Sequence, residues 1–379
     1  MKNGKIFGIG ISDIHFGAHS PKRLKNELYG VFLKYVRVNA ELLDIIVFVG
    51  DIFDKKLNFD EESGRLLISF FDELHEICLE NDIQIRIIRG TLSHDLLNQV
   101  DVFKHYVHEG GIVEIFKENT TVTEFEIGDD VINFMYIPEE YPKDTELYLN
   151  DIYNQMEEYQ PSMVFLHGTF DFVAFESQKI MSERPIKTAP IFDANKMISY
   201  NPGHIVAGHI HAPYSHKGTI TYCNSFSRNA HGEEKKKGFI SFLLDPKTND
   251  VEVTRIYNEL APRFVTLDLN ELFGGLDLPL EEKVLALNKA KERYENVRFI
   301  DSTETEEVDA ALLKAAFRTD DNIKIKTKKK VVKEEVDPTY DFVFKKELPM
   351  PETISKFASI KFGKELDPEV VAEIIKKDD

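Results

Sequence analysis

Seven side chains in this sequence have types suited to metal chemistry: Asp13, His15, Asp51, His94, His167, His209 and His211. They fall in the motifs SDIHFG (12–17), GDIFD (50–54), GTLSHD (90–95), LHG (166–168) and GHIH (208–211). Carboxylates and imidazoles without thiolate form a donor set for a hard or borderline divalent ion. A carboxylate lying between two groups of histidines can bridge two ions, and two-metal phosphate-ester chemistry uses a spacing of roughly 3.5–4 Å. Asp51 is the natural bridge. Each motif alone has a plain structural reading. Asp13 and His15 can be a turn-and-cap pair, GDIFD a strand–helix turn with a capping aspartate, GHIH a surface loop, and His94 a satisfied loop histidine. Their joint occurrence favours a site.

Five apolar runs must position these residues. They are IFGIGIS (6–12), DIIVFVG (44–50), IQIRIIRG (83–90), SMVFLHG (162–168) and HIVAGH (204–209). Near-continuous apolar runs predict strands buried on both faces. Between them, LKNELYGVFLKYVRVNAELL (24–43) and ESGRLLISFFDELHEICLEN (62–81) repeat apolar residues at three and four, the helical period. Strand–helix alternation predicts an α/β chain whose ligands bind beyond the strand carboxyl ends. The two-residue pleat places Asp13 with His15, and His209 with His211, on a common side. TVTEFEI, VINFMYI, TITYCNS, GFISFLLD and VEVTRIYN predict a second sheet, so the expected fold is a two-sheet β-sandwich flanked by helices.

A boundary is expected near NELAPRF (258–264), after which a small α+β pattern restarts. Residues 1–260, 261–332 and 333–379 are the expected divisions, the last a linker followed by short helices at 351–362 and 367–377. Both of these helices carry apolar faces. Cys78 and Cys223 are the only cysteines, both in apolar contexts. That predicts core residues in a reduced, cytoplasmic setting. No apolar run reaches membrane-spanning length and no signal peptide is read, so no membrane is expected. The net charge of −19 argues against simple charge-driven binding to nucleic acid. Bound metal ions or a partner would have to supply positive charge.

Together the motifs resemble the calcineurin-like metallophosphoesterases. SDIHFG, GDIFD, LHGTF, AGHIH and CNSFSRNAHGEEKKKGFISF resemble in particular the SbcD-type nuclease subunit of double-strand-break repair, in the form encoded by large tailed phages. The resemblance covers residues 5–260 by motif and 260–330 by layout. It implies the metallophosphoesterase fold, a capping domain at 261–332, and an ATPase-binding helix–loop–helix in 333–379. It implies a manganese-dependent exonuclease and endonuclease acting on DNA, with two divalent ions per chain (Mn2+, or Mg2+ as the alternative). A homodimer working with a coiled-coil, SbcC-type ATPase is implied as well. For a phage-encoded chain the compartment is the host cytoplasm. Carried over by motif, Asp13, His15, Asp51 and His211 hold one ion. Asp51, His167, His209 and a loop asparagine hold the other, and His94 is the catalytic histidine.

The loop departs from the family's Gly-Asn-His-Asp. Here it reads Gly90-Thr91-Leu92-Ser93-His94-Asp95, with Ser93 where the asparagine is expected. The second ion is therefore expected to be the weaker, leaning on Ser93, Asn98 or water. Asp95 is expected to orient His94. Asp54 and Arg228 are candidate substrate contacts, each with a structural alternative (helix capping for Asp54, an ordinary surface arginine for Arg228). Three other readings stay open: a nucleotide phosphodiesterase, a protein phosphatase, and a non-catalytic scaffold subunit for the ATPase.

Overall fold

The apolar runs do form strands. In chain order these are β1 (Ile6–Ile11), β2 (Ile45–Val49), β3 (Gln84–Ile88), β4 (Val113–Phe116), β5 (Thr121–Ile127), β6 (Asp130–Ile137), β7 (Met163–His167), β8 (Thr169–Phe170), β9 (Ile191–Phe192), β10 (His204–Gly208), β11 (Ser215–His216), β12 (Ile220–Tyr222), β13 (Gly238–Asp245), β14 (Asp250–Tyr257), β15 (Phe264–Asp268), β16 (Asn296–Asp301) and β17 (Ile325–Thr327). The structure, a computed structural model, describes residues 4–18, 20–108, 110–127, 130–174, 189–276, 278–293, 296–301, 325–327 and 367.

Two six-stranded mixed sheets result, in the orders β14-β13-β1-β2-β3-β4 and β11-β12-β10-β7-β6-β5. In the first sheet β1 to β4 run parallel, and in the second β6, β7, β10 and β12 do. Strand period explains how the sheets meet. In β2, Ile45, Val47 and Val49 join a core that also takes Phe134, Tyr136, Met163 and Phe165 from the other sheet. Ile46 and Phe48 point the opposite way, into a core shared with the helix Glu62–Glu80. Met135, Ile137, Val164 and Leu166 do the same on the far side, against the helices Thr145–Tyr159 and Ala194–Ser199. The expected two sheets flanked by helices are present, but their strands divide differently from the sequence reading: GFISFLLD and VEVTRIYN (β13 and β14) continue the sheet of β1, while β7 and β10 lie in the other sheet with β5, β6, β11 and β12. The buried strands read as continuous apolar runs because both faces are covered.

The expected helix over 24–43 is interrupted. Pro21–Glu27 passes through a π-helical stretch, Leu28–Leu33, into Lys34–Asn39. The widened turn holds Gly30, where an added Cβ would lie 2.9 Å from Leu260 Cδ1. Periodicity of three and four cannot show such an insertion. Cys78 and Cys223 are free and buried, and burial pushes both thiols upward.

By internal contacts the chain divides into two units. Residues up to Thr266 together with Glu281–Arg298 form one; Leu267–Leu280 and the residues from Phe299 form the other. In the second unit β16 pairs in parallel with β17, Phe299 opposite Ile325. The expected helix EEVDAALLKAAF and the expected tail helices lie outside the described residues, Asp367 apart. Among the described residues no helix is long and apolar enough to cross a membrane.

Candidate metal centre

All seven candidate side chains belong to the first unit, just beyond the carboxyl ends of β1, β2, β3, β7 and β10 or, for His167, on the last residue of β7. The loops after β1 and β2 are laced together by main-chain bonds. Asp13 N–H donates to Gly50 O at 3.0 Å, His15 N–H to Asp51 O at 3.2 Å, and Phe16 N–H to Ile52 O at 2.8 Å. This lacing bends the chain sharply. Asp13, His15, Asp51 and His209 all hold positive φ, at 52°, 53°, 50° and 88°. Non-glycine residues there cost energy, and such strain gathers at functional sites. Asp13 and His15 therefore converge through left-handed turns past the end of β1, not through the strand pleat expected from sequence.

Three groups of ligand atoms arise, each within 4.8 Å: Asp13, His15 and His211; His15, Asp51 and His94; Asp51, His167 and His209. His15 and Asp51 link them. Asp13 Oδ1 lies 3.5 Å from His211 Nε2 and 4.0 Å from His15 Nε2. His167 Nε2 lies 3.4 Å from Asp51 Oδ1. Asp13 Oδ1 and His167 Nε2 are buried with no hydrogen-bond partner, although buried polar atoms are rarely left unpaired. Two orphaned atoms, one in each outer group, together with an N/O donor set lacking thiolate, fit divalent cations.

The outer partners fix how each ring points. His167 Nδ1 contacts Val49 O at 2.7 Å, so Nδ1 carries the hydrogen and Nε2 faces the group. His211 Nδ1 contacts Glu233 Oε1 at 2.8 Å, leaving Nε2 turned to Asp13. Glu233 is held in turn by buried Lys237 at 3.0 Å. His94 Nδ1 contacts the main-chain oxygen of Asp54 at 2.6 Å, which leaves its Nε2 free. The His94 ring packs edge-on to His15 at 4.7 Å between centroids.

The carboxylates of the centre are held ionised. Burial raises Asp51, but the positive charge favoured on neighbouring His167 holds it well below the ordinary carboxylate range. Asp13 is likewise pushed up by burial and brought below its usual value by His211 and His167. Burial, helped by His211, depresses His15 to about 3, so its ring is neutral. Burial works against a charge on His211, yet the nearby carboxylates of Asp13 and Glu233 raise it to about 9.

Several expected roles fall elsewhere. Asp95 does not orient His94. Its fully buried carboxylate accepts from Phe53 N–H at 3.0 Å and Gly90 N–H at 2.8 Å, tying the second loop to the third. Ser93 is exposed in the turn, and Asn98 is exposed on the short helix that follows, Leu97–Val100. Thr91 stands at the group in their place, donating from its N–H to Asp51 Oδ1 at 2.7 Å, with its hydroxyl 3.2 Å from Asp51 Oδ2. A tight turn explains this: His94 N–H and Asp95 N–H both bond back to Thr91 O, which turns Ser93 outward. Arg228 spends its guanidinium on main-chain carbonyls of Glu233, Ala261, Pro262, Glu234 and Lys235. It braces the loop that carries Glu233, so its donors are not free for a phosphate. The Asp54 carboxylate is partly exposed, 4.0 Å from His15 Nδ1. Of the histidines expected outside the site, His204 bonds Thr221 at 3.0 Å and His216 stacks on Phe172 at 4.4 Å. His231 packs on Phe264, and His19 lies outside the described residues.

No family model matches the chain, and no curated protein matches it. Among solved structures it is similar to a glutamine-dependent NAD+ synthetase from Acinetobacter baumannii at 12% identity and a TM-score of 0.33, covering 95% of this chain and 73% of that one. It is similar to a protein of unknown function from Aquifex aeolicus at 15% identity and a TM-score of 0.22, covering 52% and 93%. A Thermotoga maritima β-glucosidase matches at 11% identity and a TM-score of 0.22, covering 86% and 88%. TM-scores this low carry no argument about function.

Sequence reading missed two carboxylates. Glu233 follows β12 in the AHGEE segment, where nothing marks it as the partner of His211. Glu139 is the other. It sits two residues past the carboxyl end of β6, a sixth parallel strand pointing at the same place, and the rule about strand ends could have found it. It is buried, with Oε2 3.4 Å from His209 Nδ1 and 3.6 Å from His167 Nε2.

The closeness of these loops has a direct consequence at Gly90. A Cβ there would lie 2.3 Å from both Asp51 N and Asp51 Oδ1. Gly90→Ala is expected to displace the Asp51 carboxylate and weaken manganese binding by at least about tenfold. It should destabilise the chelated protein by about 1–3 kcal/mol, the usual scale of overpacking. Calorimetric titration with manganese and urea melts in chelator check the two effects.

Proposed function

We propose that this chain is a metal-dependent phosphodiesterase acting on DNA, the nuclease subunit of a recombination and repair complex with a coiled-coil ATPase, working as a dimer. The observation that carries the reading is Asp51. One buried carboxylate is shared between two histidine-bearing groups at the carboxyl ends of parallel strands, His15 with His94 on one side and His167 with His209 on the other. That arrangement suits a pair of divalent ions, manganese first, acting on a phosphate.

Asp13, His15 and His211 would hold one ion, His167 and His209 the other, and Asp51 both. Bound ions supply Lewis-acid charge toward the phosphate and acidify a water at neutral pH. The chain's own residues do the rest. Val49 O and Glu233 accept from Nδ1–H of His167 and His211, so that each ring turns Nε2 toward the centre, where it would bind an ion on giving up its second proton. Main-chain Asp54 O holds His94 by Nδ1–H, so its Nε2 is placed to pass a proton to, or hydrogen-bond, a developing oxyanion. The buried, hydrogen-bonded Asp95 keeps the Gly90 and Phe53 loops in register beneath them.

DNA and the ATPase rest on the motif resemblance, not on charge. At −19 the chain needs its ions and a partner to hold a polyanion. Linear duplex DNA and bis(p-nitrophenyl) phosphate, each offered to the full chain with manganese, test the reading. Hydrolysis of both, abolished by EDTA, is expected. Cleavage of the small diester alone, even with the ATPase added, would favour a small-molecule phosphodiesterase. Cleavage of neither would favour a scaffold subunit.

A further inference from the structure

The second group of the candidate centre has a neighbour that the motif pattern does not supply. Glu139, beyond β6, places Oε2 3.4 Å from His209 Nδ1 and 3.6 Å from His167 Nε2. His167 Nε2 is in turn 3.4 Å from Asp51 Oδ1. The shortest of these separations is at the long limit for a hydrogen bond. Their size suits a shared coordination shell: two ligands bound tetrahedrally at about 2.1 Å from an ion lie roughly 3.4 Å apart.

Among the described residues no lysine or arginine side chain pairs with the Glu139 carboxylate. Arg89, the buried cation nearby, gives its Nη2 to the main-chain oxygen of Glu139 at 2.5 Å and to the carboxylate of Glu140 at 3.0 Å. The polar partners of the Glu139 carboxylate among the described residues are hydroxyls and imidazoles: Thr91 Oγ1 at 3.1 Å, the Tyr141 hydroxyl, His167 and His209. A buried carboxylate without a fixed cation is costly. The independent sign of a cation is His167 Nε2, fully buried, aimed between Asp51 and Glu139, and without a hydrogen-bond partner.

We infer that Glu139 is a metal ligand of this subsite, giving it two carboxylates and two imidazoles, Asp51, Glu139, His167 and His209. This deepens the proposed two-ion reading and rests on it. It also replaces the expectation that the altered loop leaves the second ion weakly held. The missing amide is made good by an anionic oxygen from another strand, and Thr91 is the positioning residue between the carboxylates, its hydroxyl 3.2 Å from Asp51 and 3.1 Å from Glu139. Hard oxygen donors beside imidazole suit manganese.

The test counts Mn2+ on the chelator-stripped full chain, by electron paramagnetic resonance of free Mn2+ and by calorimetry. Wild type is expected to bind two ions. Glu139→Gln, nearly isosteric and neutral, is expected to keep one ion at unchanged affinity and to bind the second at least about tenfold more weakly. Glu139→Asp should fall between. The retained ion reports that the variant is folded. If Glu139→Gln does not fold, Glu139→Asp alone decides: a selective loss at one ion supports the role and two unchanged affinities overturn it. Two wild-type ions with both affinities unchanged in Glu139→Gln would sink the Glu139 assignment and leave the two-ion reading standing. No bound Mn2+ in wild type would sink both.

Discussion

Asp51→Ala is expected to empty both metal subsites and to bring phosphodiester hydrolysis down to the rate seen in chelator. Asp51 joins two of the three ligand groups, and its carboxylate is the one negative charge common to both proposed ions. A bound ion contributes several kcal/mol to such a reaction, and each 1.36 kcal/mol is tenfold in rate, so a fall of about 10³-fold or more is expected. Structural damage should be smaller. The Thr91 N–H loses its acceptor, at a cost of about 1–3 kcal/mol for a buried donor. Domains of ordinary stability, about 5–15 kcal/mol, survive that. Manganese stoichiometry, a thermal melt in chelator and the rate on a small diester are the measurements. An Asp51→Ala protein that still binds two ions and turns over normally would remove the bridge from the account.

His94→Ala should separate chemistry from binding. The His94 ring adjoins His15 and Asp51, yet its Nδ1 is committed to Asp54 O, and the outer groups are complete without it. Both ions should stay, with affinities changed by less than about tenfold, while the rate falls roughly 10²–10⁴-fold, the range for a lost general acid or base. The loss should show in kcat and not in KM. A substrate whose leaving group needs no proton should lose far less. If one ion disappears with the ring, His94 is a ligand in its own right. If the rate is unchanged, it has no part in the reaction.

The chemistry-bearing residues were legible because they cluster at strand ends, and strands buried on both faces announce themselves as apolar runs. Asp13, Asp51, His167 and His209 needed no more than that. Loop geometry was not legible. Asp13 and Asp51 take positive φ because Gly50 O and the neighbouring carbonyls pull the two loops together, contacts made across some forty residues. Thr91 stands at the group and Ser93 does not because the loop makes a tight turn back onto Thr91 O, and residue type alone favours neither hydroxyl. Asp95 was read as the partner of its chain neighbour His94. Its carboxylate instead serves two main-chain N–H groups whose need for an acceptor no side-chain pattern reveals. Arg228 resembled a phosphate contact because its carbonyl acceptors lie in two separate turns. Glu139 was not legible because β6 opens Asp-Val-Ile-Asn, without the continuous apolar run that marks the other strands of the centre, so nothing in residue type draws attention to its carboxyl end.

Crystals of the chelator-stripped protein soaked in manganese, and mapped at a wavelength where manganese scatters anomalously, test the two-ion centre most directly. Two peaks are expected, about 3.5–4 Å apart. One should lie among Asp13, His15 and His211, the other among His167, His209 and Glu139, with Asp51 between them. A single peak, or two that do not share Asp51, would contradict the account.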